Sequence, residues 1–142
     1  MSYLGGVVVV DRRGHQEEPF SIIDTDNTSE TEVKKITVDT IAGYWQGFMK
    51  MVFRFLSGYT GETAYVRVLV FGSNDGSTVD ATVFDRTYST NETLREVTLD
   101  LGVANMGYRY LVVSIRFWAT RAGYADLWVD NLSVLLFRTA QA

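Results

Sequence analysis

Six aromatic side chains, Tyr44, Trp45, Tyr59, Trp118, Tyr124 and Trp128, are the residues of this sequence best suited to recognition chemistry. Flat rings of this kind stack on the apolar face of a pyranose, and amides or carboxylates beside them complete the contact. Aromatic residues form 13% of the chain, and β-strands also use them for packing, so core burial competes with ligand contact at each position. Trp118 and Trp128 flank the segment Arg121 to Tyr124 and are expected to pair across a hairpin there.

Catalytic patterns do not emerge. His15 is the single histidine and sits in the polar stretch Asp11 to Glu18, where it is expected to face solvent. There is no Gly-x-Ser-x-Gly elbow, no glycine-rich phosphate loop and no paired-histidine metalloprotease motif. The 17 acidic residues could in principle supply a pair of carboxylates for hydrolysis, but most fall in turns or alternate with polar residues. The chain is therefore expected not to be an enzyme. Cysteine is absent, which removes disulfides and thiolate metal sites. A net charge of -4, with no basic cluster beyond Arg12-Arg13 and Lys34-Lys35, argues against a nucleic-acid partner. The apolar run Val7 to Val10 is four residues, too short for a signal-peptide core or a membrane span.

The elements that must position these side chains are strands. Apolar residues alternate with period two in segment after segment, and no stretch carries the i, i+3, i+4 pattern of an amphipathic helix. Strands are predicted over Val7–Val10, Phe20–Ile23, Val33–Thr40, Gly43–Phe55, Tyr65–Phe71, Ala81–Phe84, Leu94–Leu101, Tyr108–Ala119 and Ala125–Phe137. Asn74-Asp75-Gly76 suits a tight reversal after Phe71, because these residues tolerate positive φ. Leu111, Val113, Ile115 and Phe117 fall on one face of their strand and are expected in the core. Tyr110, Val112, Ser114, Arg116 and Trp118 fall on the other, with the mixed composition of a half-covered surface or a contact face. Met49, Met51, Phe53 and Phe55 likewise oppose Phe48, Lys50, Val52 and Arg54, and Tyr65, Arg67, Leu69 and Phe71 oppose Val66, Val68 and Val70. About eight or nine strands with no intervening helices suit a two-sheet sandwich in a single domain spanning residues 1–142. Residues 1–18, with Gly5-Gly6 ahead of four valines, have the make-up of an N-terminal arm, or of an ordinary first strand.

The closing stretch Leu127-Trp128-Val129-Asp130-Asn131-Leu132-Ser133-Val134, preceded by the aromatic strand Tyr108 to Ala119, resembles the last strands of jelly-roll β-sandwiches of the carbohydrate-binding-module type. The likeness extends back to Tyr44 through the Trp45-bearing strand, the Tyr-Val-Arg-Val strand and Arg95 to Leu101. It implies an all-β, antiparallel jelly-roll sandwich. It also implies a structural calcium held by Asp130 with acidic groups of the first strands, Glu18 and Asp24 foremost and Glu17 or Asp26 beside them, since calcium needs six to eight oxygens. Without calcium, Asp130 and Asn131 would hydrogen-bond neighbouring backbone.

Two functional expectations follow. The first is a non-enzymatic structural subunit that self-assembles through sandwich faces and edges, as a homo-oligomer or larger protein assembly in a virus or phage particle or an extracellular filament. The second is a carbohydrate-binding module using Tyr44, Trp45, Trp118, Tyr124 and Trp128 on a glycan, with calcium as its one cofactor. Neither expectation includes a membrane span.

Overall fold

The computed structural model describes residues 8–16, 22–25, 27–39, 44–58, 60–91, 93–104, 107–123 and 125–139; within β1, β2 and most of β9, and at the ends of β4 and β7, it describes the backbone alone. Among the described residues nine strands follow in chain order: β1 (Val8–Gln16), β2 (Ile22–Thr25), β3 (Glu32–Asp39), β4 (Tyr44–Ser57), β5 (Ala64–Ser73), β6 (Ala81–Thr90), β7 (Arg95–Ala104), β8 (Tyr110–Ala119) and β9 (Ala125–Thr139). All nine expected strands are present. The largest differences are extensions: β1 runs on to Gln16 and β6 on to Thr90, six residues past Phe84. Apart from the buried Tyr88 both additions are largely polar, and they lie in strands at a sheet edge, where the ladder partner, not apolar alternation, decides extension.

One sheet has the order β1-β9-β4-β7, with β2 also pairing β9, and the other has the order β3-β8-β5-β6. Every pairing is antiparallel. The pairs β2·β9, β3·β8, β4·β7 and β5·β6 nest inside one another, so the chain is a long double-stranded ribbon, closed at the β5–β6 turn and rolled into two layers. That is the jelly roll. The first strand belongs to the same sandwich: Val8–Arg13 pair with Thr139–Val134 of β9.

Period-two alternation builds the core. Met49, Met51, Phe53 and Phe55 of β4 and Leu111, Val113, Ile115 and Phe117 of β8 face each other between the sheets with Val66, Val68 and Val70 of β5, all essentially without solvent contact. Phe53 is central, its ring 5.9 Å from Phe55 and edge-on to Tyr88 at 5.5 Å.

The β5–β6 turn that closes the ribbon is held by one carboxylate. Asp75 accepts hydrogen bonds from the Ser73 hydroxyl, the Ser77 and Thr78 amides and the Thr78 hydroxyl at 2.6–2.9 Å. Gly76 takes φ +82, which explains the glycine in this reversal. Asp80 caps the turn from the far side by accepting from the Asn74 amide at 2.9 Å.

The expected Trp118–Trp128 pair does not form. Trp118 is in β8 and Trp128 in β9, and these strands belong to different sheets, so the segment between them crosses the sandwich and is not a hairpin. Trp118 instead lies opposite Tyr65 of β5.

Candidate functional site

The outer face of the β3-β8-β5-β6 sheet gathers the most chemistry among the described residues. The register brings the outward residues of β5 and β8 together in rows: Tyr65 with Trp118, Arg67 with Arg116, Leu69 with Ser114, Phe71 with Val112, and Ser73 with Tyr110. At one end the rings of Tyr65 and Trp118 are stacked, 5.2 Å between centroids and 17° between planes. Rings that close cover one face each, so the pair presents edges and its two remaining faces to the surroundings, not a single flat floor.

Next along the sheet two guanidinium groups stand directly opposite one another, an arrangement that like charges would destabilise if left alone. Acidic groups from both flanks resolve it. Arg67 makes a two-pronged bond to Asp85 of β6 at 2.8 and 2.7 Å and a further bond to Glu30 at 2.8 Å. Glu30 also accepts from Arg116 at 2.5 Å, and so bridges the two arginines. It reaches them because the segment ahead of β3 continues along β8, the Phe117 and Ala119 amides donating to the carbonyls of Thr31 and Asn27 at 2.9 and 3.1 Å. Ser114, buried in the next row, donates to the Glu32 carboxylate. Beyond it Leu69, Phe71 and Val112 form a small second apolar cluster, with Tyr110 packed against it and the β5–β6 turn folded over its far end, where Gly76 approaches Thr37 and Tyr110.

The charges are shared within the chain, and their titration reflects it. The hydrogen bond to Asp85, foremost, and those to Glu30 raise the Arg67 pKa, while Arg67 holds Asp85 below the usual carboxylate range. Burial pushes Glu30 upward, but the bonds from Arg116 and Arg67 outweigh it and leave it lowered. Asp75 in the turn is lowered as well, first by the Thr78 hydroxyl. A carboxyl whose folded pKa lies below its unfolded value contributes stability that is complete above the unfolded value, near 4, and is lost as pH falls below it. The melting temperature is therefore expected to be flat near neutrality and to drop below about pH 4. Asp75→Asn should melt lower than wild type at pH 7, and the gap should close as the pH is taken down, which thermal melts followed by circular dichroism would read.

Of the residues singled out from the sequence, Trp118 is on this face and partly exposed. Tyr44 and Trp45 belong to β4 and Trp128 to β9, in the other sheet. Tyr124 and Glu18 lie outside the described residues, as do Glu17 and Asp26. Asp24 is opposite Asp126 on β9, four residues short of Asp130. Asp130 itself coincides with a β-bulge, since Val52 pairs with Asn131 and Phe53 with Val129. Among the described residues no group of three His, Cys, Asp or Glu side chains could hold a metal.

Glu30, Glu32 and Asp85 were not indicated by the sequence. Their signal is indirect: Arg67 and Arg116 sit at outward positions of apolar strands, where a cation needs an acidic neighbour, but which acid supplies it depends on the strand pairing.

No family model matches the chain, and comparison with curated proteins finds no match. Among solved structures the chain is similar to the CBM22-1 xylan-binding domain from Paenibacillus barcinonensis Xyn10C, with a TM-score of 0.49, 15% identity, and 95% of this chain and 85% of that one covered. It is similar to the VP2 subviral particle of infectious bursal disease virus, with a TM-score of 0.46, 8% identity and 96% of this chain covered; it spans 38% of that longer chain. It is also similar to Eiger TNF from S. frugiperda, with a TM-score of 0.47, 8% identity, and 95% and 94% covered. No helix among the described residues is long and apolar enough to cross a membrane, a statement that does not concern strands.

Proposed function

We propose that the chain is a non-enzymatic structural subunit, one that joins copies of itself into a larger assembly through the faces and edges of its sandwich, in a virus or phage particle or an extracellular filament. The observation that carries this reading is the outer face of the β3-β8-β5-β6 sheet. Tyr65, Trp118, Arg67, Arg116 and Tyr110 are of the residue types that dominate binding energy at protein interfaces, and they share one sheet face at partial exposure. Their charges are already paired within the chain, so a partner could cover Arg67 and Arg116 without leaving either cation unpaired.

Light scattering across protein concentration tests it. The expected result is a mass above that of the 16.0 kDa chain that rises with concentration. Trp118→Ala should weaken association about tenfold or more, the usual effect of truncating a central interface tryptophan. A strict monomer at every concentration would overturn the reading.

A glycan-binding role is the second reading, and the Tyr65–Trp118 pair beside Glu30, Glu32 and Asp85 is the observation in its favour. A glycan array that shows binding, lost in Trp118→Ala while the mass stays monomeric, would favour it over assembly.

A further inference from the structure

The four sheet edges are not treated alike. An edge strand offers a row of unpaired amides and carbonyls to any passing strand, and folded proteins blunt such edges with bulges, lysine, proline or short length. The edge formed by β1 and β2 has two of these: β2 is four residues long and β1 changes register between Arg13 and Gln16. β3 is bulged between Glu32 and Lys34 and carries Lys34 and Lys35. β6 is bulged where Val70 and Phe71 of β5 meet it. β7 is neither bulged nor short, and its charged residues are Arg95, Glu96 and Asp100. It runs against β4 for ten consecutive pairs, from Ala104 opposite Gln46 to Arg95 opposite Phe55, without a register shift, and it contains neither lysine nor proline.

A second observation falls at the same place. Among the described residues only Val79 and Leu94 are large apolar side chains left in solvent, and Leu94, 47% exposed, immediately precedes β7.

We propose that β7 is an assembly edge, pairing antiparallel with β7 of a second copy about a two-fold axis, so that two β1-β9-β4-β7 sheets become one continuous sheet. The inference rests on the self-assembly reading and adds to the Trp118 face a second contact surface, an edge of the other sheet. A copy of the same strand is the occupant that fits, because the edge keeps unbroken register over its whole length and a two-fold pairing can be laid out without like charges in opposition. Directly opposed residues in an antiparallel pair share a face, which restricts the two-fold to registers centred on a residue. Centring on Thr98 sets Glu96 against Asp100, two acids. Centring on Leu99 sets Leu99 against itself, Val97 against Leu101, Glu96 against Gly102 and Leu94 against Ala104, with no like charges opposed. This second register also covers the exposed Leu94.

The chain has no cysteine, so introduced thiols report contacts without background. Glu96 and Gly102 are both exposed, and a Cβ at Gly102 meets nothing within 4 Å, so both positions accept the change. Opposed residues of an antiparallel pair have Cα atoms about 4.5–5.5 Å apart, inside the range a disulfide spans. Under mild oxidation a mixture of E96C and G102C proteins is expected to give a covalent dimer, while either alone, and a mixture of T37C and T87C from the β3 and β6 edges, stays monomeric on a non-reducing gel. Thr98→Lys, at an exposed position of β7, is expected to keep the wild-type melting curve and to weaken association about tenfold or more, the scale of a central interface residue. An oligomer that persists unchanged in Thr98→Lys and yields no E96C–G102C dimer would overturn the β7 pairing and leave self-assembly through another surface standing. A wild-type chain that is monomeric at every concentration would overturn both.

Discussion

Replacing Phe53 with alanine is expected to destabilise the sandwich by about 3–5 kcal/mol, the range for deleting a fully buried phenylalanine. Phe53 has no solvent exposure and lies at the centre of the inter-sheet layer, its ring against Phe55 on the same strand and against Tyr88 from β6 of the opposite sheet. The change therefore removes contacts that hold the two layers together. Two sheets braced by their own backbone ladders cannot close on the vacated space without breaking register, so most of the cavity should remain and the loss should fall near the top of the range. Domains of this size have total stabilities of about 5–15 kcal/mol, so the variant should unfold at markedly lower urea with an unchanged slope. A loss under about 1 kcal/mol would show that the layers repack freely and that the core is not close-packed at this point. Val52→Ala serves as a comparison, since Val52 is the half-buried neighbour on the opposite face of β4.

Gly72→Val is expected to cost about 1–3 kcal/mol through overpacking, the reverse of the cavity effect. Gly72 continues the inward series Val66, Val68 and Val70 on β5, so alternation alone would place another β-branched residue there. The ring of Tyr108 occupies that space: a Cβ at position 72 would sit 2.9 Å from Tyr108 Cδ2 and 3.4 Å from its Cβ and Cγ. A valine must displace the aromatic or bend β5, which is flanked on both sides by β6 and β8 and has little freedom to bend. The same substitution at an exposed strand position would be neutral or favourable, because valine exceeds glycine in strand preference. Urea unfolding of Gly72→Val beside Gly102→Val separates the two effects. Gly102 is exposed on β7 with open space at its Cβ, and its variant should be as stable as wild type or more so.

The two glycines show where local pattern stops being informative. Both interrupt strands, and nothing nearby in the sequence separates one that a tyrosine covers from one open to solvent. By contrast, the inward and outward sets of β4, β5 and β8 were legible, because side chains alternate across a strand whatever it pairs with, and the apolar half must be buried. Asn74-Asp75-Gly76 was legible for a similar reason: positive φ at Gly76 and the short reach of Asp75 to Ser77 and Thr78 are local properties. The aromatics were read less well. Proximity in the chain paired Trp118 with Trp128, whereas the rolled topology gave Trp118 to Tyr65, 53 residues earlier, and sent Trp128 to the other sheet.

The sequence by itself determined the strand content, the two-sheet sandwich, the composition of its core and the turn that closes the ribbon, since each depends on residue type and on spacings of a few positions. Only the tertiary structure decided which outward residues became neighbours. The bridge from Glu30 to Arg67 and Arg116 joins three segments separated by 37 and 86 positions, and the regular β7 edge exists only because β4 accepts it in unbroken register. Strand pairing over such distances is set by which whole arrangement buries the most apolar surface with its ladders complete, and no local stretch of chain encodes that sum.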